Sequence, residues 1–479
     1  MARNKNRCKV LAHWIDSEPG VFVHSSHPID MSSFLERKRV LVLGAMGKSG
    51  RSLQELLYEL GSIIAITDQN QEGKPAVPVE MDLRPEQGRS ILDQFHPDYV
   101  VTAPGVPLSL PVFEAARSEG IPVYGELDLA FHVMEDQGKH PYVFAVTGTD
   151  GKSTTVSMIE HILKQLPFAP SVVACGNIGL PLSQVVLDGV PDILVVECSS
   201  FQLESVEHFH PNTACILNLA AAHMDRYDSI DEYAQAKSNI GRRQGTEDLL
   251  LIADEFPYLS EFDQLNGRLE RLDVESFGNG YSPFLDALRI PGKHNRWNLL
   301  FALRMIQDYF IRNSISWEDN ASALKEAIAS FSGLPHRMEV VAEKSGILFI
   351  NDSKATTVQS AQMAMNSFAG RPLHILMGGL DKKGDFTSFR ANASQWIYPF
   401  GQAGPAIQKQ TQATHNYGDL SAAFHAACSA ASRQSPALAA DENDKPVVLL
   451  SPGCPSQDQY RNYEERGNHF RKLVEEWKP

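Results

Sequence analysis

Cysteine is scarce in this chain of 479 residues, and the six cysteines form neither a CxxC pair nor a dense framework. This scarcity argues against a disulfide-stabilised secreted scaffold and predicts reduced thiols of the kind found in cytoplasmic proteins. Long hydrophobic runs are also lacking, since none approaches the roughly 18 apolar residues of a membrane span. The first residues, MARNKNRCKVLAHWID, contain no continuous apolar stretch, so we expect no secretory signal and a cytoplasmic location.

Positive charge is in deficit. The chain has 43 lysine and arginine residues against 58 aspartate and glutamate residues, which gives a formal net charge of -15. An acidic surface repels phosphate backbones and anionic lipid head groups, so neither a nucleic acid nor a membrane is expected as a partner. An anionic ligand would therefore have to be held by local basic groups and by backbone N–H donors.

Apolar runs of four to six residues alternate with longer segments of helical period, and each run ends in glycine or a small polar loop. This pattern is typical of βαβ units and predicts an α/β fold with parallel sheets covered on both faces. The length favours several domains rather than one core. We predict a Rossmann-like domain at residues 37–137, a central P-loop ATPase-type domain at 138–334 and a second Rossmann-like domain at 335–479. Residues 1–36 form an extension to which no role is assigned.

The segment VFAVTGTDGKSTT is the most informative part of the sequence, because a buried strand enters a glycine-rich turn that begins a helix. The N-terminus of a helix has unpaired N–H groups and partial positive charge, which favour phosphate. Lys152 would reach the terminal phosphates and the Ser153 hydroxyl would bind Mg²⁺. Val146 stands where a strict Walker A motif has its first glycine, so Gly148 and Gly151 bracket a shorter version of that turn.

Two later strands end in polar side chains that could complete such a site. DILVVECSS places Glu197 at the end of an apolar strand, where a carboxylate can bind Mg²⁺ directly or through water. TACILNL leads to His223, Asp225 and Arg226 in AAAHMDRY. Because ligands of α/β proteins bind at the carboxyl ends of parallel strands, we expect these groups near the phosphate loop.

The glycine turn of the first domain, residues 44–50, is similar to a dinucleotide-binding turn, but Met46 stands where the second glycine of G-x-G-x-x-G is needed. NAD is therefore not expected as a ligand. Lys48, Ser49 and the free N–H groups could bind another diphosphate, and Asp68 stands where an acid that reads a ribose or a base would lie. A purely structural turn is the alternative.

Ten motifs occur in one order along the chain: TGTDGKST, GNIGLP, ECSSFQLE, HMDRY, YAQAK, KHNRWN, GLPHRMEVV, NDSKATT, GGLDKKGD and SPGCPSQDQYRNYEERG. In this order they resemble the Mur ligase family, from about Arg39 to the end of the sequence. The resemblance implies ATP-dependent formation of an amide bond in peptidoglycan precursor synthesis, and thereby a role in cell wall biogenesis, cell shape and cell division. LPHR, NDSKAT and S-x-D-Q-[FY] favour the branch that adds D-glutamate to UDP-N-acetylmuramoyl-L-alanine.

The implied reaction has two steps. ATP phosphorylates the carboxylate of the UDP-sugar substrate, and the amine of D-glutamate then displaces phosphate from the acyl phosphate. Phosphorylation supplies the leaving group that a carboxylate lacks, while Mg²⁺ (we expect two ions), lysines and arginine neutralise the gathered negative charge. The three domains would bind the UDP-sugar, ATP and the amino acid in that order, and we expect a monomer.

The resemblance also implies roles for individual residues. Lys237 matches a lysine that the family carbamylates with CO₂, which turns a cation into an anion able to position a metal; from the residues alone it is an ordinary lysine on a helix surface. The catalytic residues would be Lys152, His223, Lys237 and Lys354. ATP would contact Gly148, Thr149, Asp150, Gly151, Lys152, Ser153, Thr154, Asn295, Asn298, Arg337 and Asp352. The metal ligands would be Ser153, Glu197, His223 and Lys237. The UDP-sugar would contact Gly47, Lys48, Ser49, Asp68 and Asn177, and D-glutamate would contact Thr356, Lys382, Ser456 and Tyr463.

Two positions depart from the family pattern. Asp150 stands where asparagine is usual, and Ala222 precedes His223 where an acid is common. Two alternative functions stay open: a sister ligase that adds a different amino acid, such as folylpolyglutamate synthase or another Mur ligase, and a nucleotide-binding scaffold without catalysis. A P-loop kinase or a transport ATPase is disfavoured, because NDSKAT and SPGCPS would have no role in it.

Overall fold

Three sheets follow one another along the chain. The structure, a computed structural model, describes residues 34–479 except 169, 221–225, 255–261, 263–264, 274–277, 291, 390–393 and 435–444. The sheets contain five, six and five strands, and every strand pairing is parallel except the one at the edge of the third sheet. The predicted α/β class is therefore confirmed.

The first sheet has the strand order β3-β2-β1-β4-β5. Its strands are β1 (Arg39–Leu43), β2 (Ile63–Thr67), β3 (Met81–Asp82), β4 (Tyr99–Thr102) and β5 (Val123–Gly125). Its helices are α1 (Lys48–Glu59), α2 (Ser90–Phe95), α3 (Pro111–Ser118) and α4 (Glu126–Asp136).

The second sheet has the order β11-β10-β9-β6-β8-β7. Its strands are β6 (Tyr142–Thr147), β7 (Val172–Gly176), β8 (Ile193–Glu197), β9 (Thr213–Ile216), β10 (Leu249–Ala253) and β11 (Arg268–Leu272). Its helices are α5 (Lys152–Gln165), α6 (Leu182–Asp188), α7 (Ser200–Leu203), α8 (Ile230–Ser238), α9 (Gly278–Leu285), α10 (Lys293–Arg312) and α11 (Ala321–Ser330), with a 3-10 turn at Asn239–Gly241. Strands β6, β8 and β9 are neighbours, so their carboxyl ends lie at one edge.

The third sheet has the order β12-β13-β16-β14-β15, with β12 antiparallel to β13. Its strands are β12 (Glu339–Lys344), β13 (Ile347–Asn351), β14 (Leu373–Gly378), β15 (Gln395–Phe400) and β16 (Val447–Leu450). Its helices are α12 (Val358–Asn366), α13 (Gly404–Thr411), α14 (Leu420–Gln434) and α15 (Tyr463–Glu476). We propose the predicted boundaries after residues 137 and 334, which fall between α4 and β6 and between α11 and β12.

Each sheet has an apolar core on both faces. In β6, Phe144 and Val146 belong to one cluster of buried side chains, whereas Val143 and Ala145 belong to another. Successive side chains of a strand point to opposite faces, so a continuous apolar run such as this one is buried on both sides. Because both faces are buried, the strands appear in the sequence as unbroken apolar runs rather than as alternating apolar and polar residues.

Buried carboxylates of α4 join the first sheet to the second. Glu126 accepts hydrogen bonds from the backbone N–H and the hydroxyl of Ser183, at 2.7 and 2.6 Å. Asp128 Oδ1 accepts from the backbone N–H groups of residues 207–209, at 2.8 to 3.0 Å. Both acids are buried, and a buried carboxylate without such donors is costly. These bonds therefore favour one fixed arrangement of the first two domains.

A neutral histidine lies inside the third sheet. The ring of His374 in β14 is fully buried and stacks on Trp396, with 4.9 Å between the ring centroids. Its Nδ1 accepts from the Tyr398 hydroxyl at 2.9 Å, and its Nε2 donates to Gln434 Oε1 at 2.9 Å. Burial disfavours the charged imidazolium and lowers the pKa of His374 from 6.5 to about 4.

Acid should therefore destabilise the protein through this residue. Because the folded-state pKa lies below the unfolded value, the stabilisation is complete above pH 6.5 and is lost as the pH falls toward about 4. We expect His374 to contribute up to about 2 kcal/mol less to the free energy of unfolding by urea at pH 5 than at pH 8. His374→Gln keeps a donor and an acceptor without titrating, so it should reduce this difference. An unchanged pH dependence in that variant would contradict the assignment.

A membrane-crossing helix is not found in the described part of the chain, where every helix is too short or too polar for that purpose.

Candidate active site

The glycine-rich turn joins the end of β6 to the first residue of α5. Gly151 has a φ of +85°, and a Cβ added there would lie 2.4 Å from Asn298 Oδ1. Gly148 has a φ of +148°, and a Cβ there would lie 3.1 Å from Leu217 Cβ. Positive φ and close neighbours both favour glycine. The turn is therefore a tightly packed loop that presents the N-terminus of α5, as the sequence predicts.

Asn218, just beyond β9, holds this loop in shape. Its Oδ1 accepts from the backbone N–H groups of Thr149 and Asp150, at 3.1 and 2.9 Å, and its Nδ2 donates to the Asp150 carbonyl at 3.0 Å. The Thr149 hydroxyl donates to the carbonyl of Ala220 at 3.1 Å. Sequence reasoning missed Asn218. Its position after the strand that neighbours β6 is the signal that could have identified it.

Two lysines converge on one carbonyl of the loop. Lys152 Nζ donates to the carbonyls of Gly148 and Thr149, at 2.9 and 2.8 Å, and Lys237 Nζ donates to the same Gly148 carbonyl at 2.9 Å. Lys237 also donates to the Thr147 hydroxyl at 3.3 Å, and its side chain is 1% exposed. These hydrogen bonds all go to neutral oxygens, so none of them pairs either amine with a carboxylate.

Burial determines the electrostatics of both lysines. It lowers the pKa of Lys237 well below its usual value, and the neighbouring charge of Lys152 lowers it further. Burial likewise lowers the pKa of Lys152, while Glu197 and Asp150 raise it. The residues alone describe Lys237 as a lysine on a helix surface, and that interpretation is wrong: α8 begins at the Ser229 cap and carries Lys237 inward, to the edge of the sheet.

Glu197 supplies a carboxylate at the end of β8. The residue is 2% exposed, and its Oε1 accepts from Asn177 Nδ2 at 2.7 Å. Its Oε2 is buried without a hydrogen-bond partner among the described residues. A hard cation with oxygen ligands fits such an oxygen. His223 and Asp225 lie outside the described residues. Among the residues that the structure describes, no group of three or more His, Cys, Asp or Glu side chains could hold a metal.

Arg226, the third polar residue of that segment, pairs elsewhere. Its Nη2 donates to Glu204 at 2.6 Å, and its guanidinium lies 4.1 Å from the centroid of the Phe201 ring. The structure therefore places Arg226 in an ion pair of its own.

Arg337 brings the third domain to the loop. Its Nη2 donates to the Ser153 hydroxyl at 3.1 Å. Asp352 is buried nearby in the third domain, and it accepts from the Met338 backbone N–H at 3.2 Å and from the Ser451 hydroxyl at 2.9 Å. Burial raises the pKa of Asp352 to about 7, and the charge of Arg337 opposes that rise. Arg337 thus contacts the start of α5 from the third domain, whereas the hydrogen bonds of Asp352 are made within the third domain.

Three of the residues predicted to bind the amino acid lie in the loops after β13, β14 and β16, and the fourth, Tyr463, is the first residue of α15. Lys354 Nζ lies 4.0 Å from the centroid of the Tyr463 ring, so the structure brings these two together. Burial and the charge of Arg337 lower the pKa of Lys354. Ser456 is 1% exposed, and its hydroxyl has no partner among the described residues. Thr356 is half-buried and Lys382 is exposed.

The remaining residues predicted to bind the nucleotide lie around the loop. Thr154 is in the first turn of α5, and Asn295 and Asn298 are both buried in the first turns of α10. Because Asn298 approaches Gly151, the start of α10 lies against the glycine turn.

The glycine turn of the first domain also faces the second domain. Gly47 precedes α1, which begins with Lys48 and Ser49, and Lys48 Nζ donates to the Gly179 carbonyl at 2.5 Å. Gly179 belongs to the GNIGLP segment, as does Asn177, so these two predicted regions meet. Asp68 accepts at 2.8 Å from the backbone N–H of Met46, and it thereby fixes the turn.

A cleft between the first two domains contains residues that sequence reasoning did not assign. One wall comes from the loop after β4, and the other from the first turn of α4 and from α7. Its lining includes Thr102, Ala103, Pro104, Gly105, Val106, Glu126, Phe201, Gln202 and Ser205. The Pro-Gly turn after β4 was the available signal, because it too follows the carboxyl end of a parallel strand.

Comparison with known proteins identifies the family of this chain. A model of the Mur ligase middle domain matches residues 146–306, which include the glycine turn, Glu197 and Lys237. The chain is 31% identical to a protein of Salinibacter ruber over 92% of this chain and 98% of that one. It is 33% identical to a protein of Alkaliphilus metalliredigens with the same two coverages. The chain therefore belongs to the Mur ligase family.

Within that family, both relatives have the name UDP-N-acetylmuramoylalanine--D-glutamate ligase. Solved structures agree on the fold. MurF from Acinetobacter baumannii has a TM-score of 0.52 at 16% identity, with 92% of this chain and 94% of that chain covered. MurF from Thermotoga maritima, solved in complex with ADP, has a TM-score of 0.52 at 15% identity, with coverages of 93% and 99%.

Proposed function

We propose that this protein is an ATP-dependent ligase that joins D-glutamate to UDP-N-acetylmuramoyl-L-alanine in peptidoglycan precursor synthesis. The observation that carries the proposal is the convergence of Lys152, Lys237 and Arg337 on one glycine loop. The charges of Lys152 and Arg337 at a helix N-terminus, beside the buried amine of Lys237, suit a reaction that gathers a triphosphate and a carboxylate. The names of the relatives supply the choice of substrates.

In this proposal the middle domain binds ATP. Backbone N–H groups of the glycine turn and the ammonium of Lys152 bind the phosphates, Asn295 and Asn298 lie toward the adenine, and Arg337 and Asp352 approach from the third domain. The carboxylate of UDP-N-acetylmuramoyl-L-alanine attacks the terminal phosphorus, and ADP leaves. The amine of D-glutamate then attacks the acyl carbon, the bond to phosphate breaks, and the nitrogen loses a proton.

Two groups that the family implies fit part of the site. Mg²⁺ would be held by Glu197, whose Oε2 is free to ligate, by the Ser153 hydroxyl, and by His223. When bound, the cation neutralises phosphate charge. Lys237 would react as a free amine with CO₂, forming an N–C bond and releasing a proton. The Lys237 amine is buried, and its described hydrogen bonds go only to neutral oxygens. Both features favour its uncharged form.

The two other substrates would bind on either side of the nucleotide. The UDP-sugar would bind at Gly47, Lys48, Ser49, Asp68 and Asn177, where the glycine turn of the first domain meets the GNIGLP segment. D-glutamate would bind at Thr356, Lys382, Ser456 and Tyr463, close to Lys354. We also propose that the protein acts as a monomer in the cytoplasm, where ATP and nucleotide sugars are made.

A ligation assay tests the function directly. With ATP, Mg²⁺ and UDP-N-acetylmuramoyl-L-alanine, release of phosphate should depend on D-glutamate. L-glutamate, L-alanine and meso-diaminopimelate should give no more than about 1% of that rate. Faster turnover with one of those amino acids would indicate a sister ligase. Binding of ATP without turnover under any of these conditions would indicate a scaffold.

A further inference from the structure

A fully buried arginine lies behind the third-domain loops. Arg466 is in the first turn of α15 and is 0% exposed. Its Nε donates to the Ser353 hydroxyl at 3.0 Å and its Nη2 to the Ser353 carbonyl at 2.9 Å. Its Nη1 donates to the carbonyls of Cys454 and Gly378, at 3.0 and 3.3 Å. The four bonds go to neutral oxygens, so this guanidinium binds three backbone carbonyls and a hydroxyl rather than a carboxylate.

The three acceptor residues lie at the ends of three adjacent strands. Ser353 follows β13, Gly378 ends β14 and Cys454 follows β16, and these strands are neighbours in the order β13-β16-β14. Each loop carries predicted site residues: Lys354 and Thr356 follow Ser353, and Lys382 and Ser456 follow Gly378 and Cys454 along the chain. One side chain therefore bridges all three loops.

Further contacts close the arrangement around the guanidinium. The Ser353 hydroxyl donates to the Tyr463 carbonyl at 2.8 Å, which ties the first loop to the start of α15. The backbone N–H of Leu380 donates to the Pro455 carbonyl at 2.8 Å. A Cβ at Gly379 would lie 2.1 Å from the Pro455 carbonyl oxygen and 3.0 Å from Arg466 Nη1. The loops after β14 and β16 are thus packed on each other directly above Arg466.

Burying a charged group without a carboxylate partner is costly, and apolar side chains already fill both faces of this sheet. We propose that Arg466 is a positioning residue, whose guanidinium sets the relative placement of Lys354, Lys382 and Ser456 for the incoming amino acid. The identity of that amino acid rests on the proposed function, whereas the ordering of the three loops does not. Arg466 itself touches none of the reacting atoms.

Kinetics of two variants test the proposal. Arg466→Met removes all four bonds at similar volume, and Arg466→Lys keeps the charge but loses the planar fork. We expect the KM for D-glutamate to rise about 10-fold or more in Arg466→Met, and less in Arg466→Lys, with the KM for ATP within about twofold of wild type. Phe470→Leu is the matched control, because Phe470 is a buried residue one turn further along α15 that packs in the apolar cluster behind the sheet.

Phe470→Leu should lower the melting temperature but leave the KM for D-glutamate unchanged. The proposal is overturned if Arg466→Met keeps the wild-type KM for D-glutamate, or if Phe470→Leu raises that KM equally. Should Arg466→Met not fold, Arg466→Lys decides by the same criterion.

Hydrogen exchange provides a test that needs no substrate. In the protein alone, amide exchange in residues 352–357, 378–384 and 452–458 should be faster in both Arg466 variants than in wild type and Phe470→Leu. Unchanged exchange in all three segments would overturn the positioning role even in an active enzyme. Absence of D-glutamate-dependent turnover by wild type would instead contradict the proposed function, so the two failures are distinguishable.

Discussion

Lys152→Ala should lower kcat/KM for D-glutamate-dependent ligation by about 10³-fold, the largest effect that we expect from one substitution. The ammonium of Lys152 lies at the glycine turn, within hydrogen-bond distance of the Gly148 and Thr149 carbonyls. Phosphoryl transfer depends on positioned cations, and no other side chain of the loop carries positive charge. Initial rates of phosphate release, over a range of ATP concentrations, measure the loss.

Lys164→Ala is the matched control for this variant. Lys164 lies near the end of the same helix, is exposed, and pairs with Glu160 at 2.7 Å. Removal of an exposed pair of this kind costs little stability, so activity should stay near wild type. We expect Lys152→Ala to fold as well, because the change removes a side chain whose charged form burial disfavours. If Lys152→Ala kept a third or more of wild-type activity, ATP would have to bind elsewhere.

The glycine turn was predictable from sequence because its chemistry is local. A buried strand, two glycines, a lysine and a serine within a few residues determine the turn, its packing and the start of α5. The central strands of all three sheets were predictable for a similar reason, since apolar runs buried on both faces need no knowledge of their neighbours. Edge strands were harder: β3 has only two residues, and β12 alternates partly exposed side chains against one neighbour.

Long-range contacts set the limit of prediction. Glu126 and Asp128 stand in ELDLAF, where the acids would be expected on an exposed helix face. The structure buries both because they accept hydrogen bonds from backbone groups that lie 57 to 81 residues away. Arg466 is a similar case, since its acceptors lie up to 113 residues away. The spacing of residues within one helix or strand does not show which distant backbone groups will become hydrogen-bond partners.

Lys237 shows the same limit inside the candidate site. YAQAKSNI is an ordinary helical segment, and only its packing at the end of β6 buries the amine next to Lys152. The resemblance to the Mur ligases singled out this lysine, whereas its residue type and period did not. The structure shows why this amine is chemically unusual. It is buried, and its described hydrogen bonds all go to neutral oxygens.

Lys237→Ala should therefore lower kcat by about 100-fold, because the anion that the carbamate would supply is lost from the metal site. Small carboxylates such as formate or acetate, or bicarbonate, should partly restore activity, since the shortened side chain leaves space for them. Lys237→Met is the matched variant: it also lacks the amine, but its longer side chain fills that space, so the same anions should not restore its activity.

Wild-type protein provides a second measurement of the same idea. Buffers depleted of CO₂ should slow ligation, and ¹³C-labelled bicarbonate should give a carbamate resonance that is absent from both variants. Rescue of Lys237→Ala but not of Lys237→Met would assign the lost group to a carboxylate-sized anion at this position rather than to the lysine stem. Equal activity of wild type and Lys237→Ala would remove the carbamate from the mechanism. It would leave Lys237 as a buried amine that stabilises the Gly148 carbonyl.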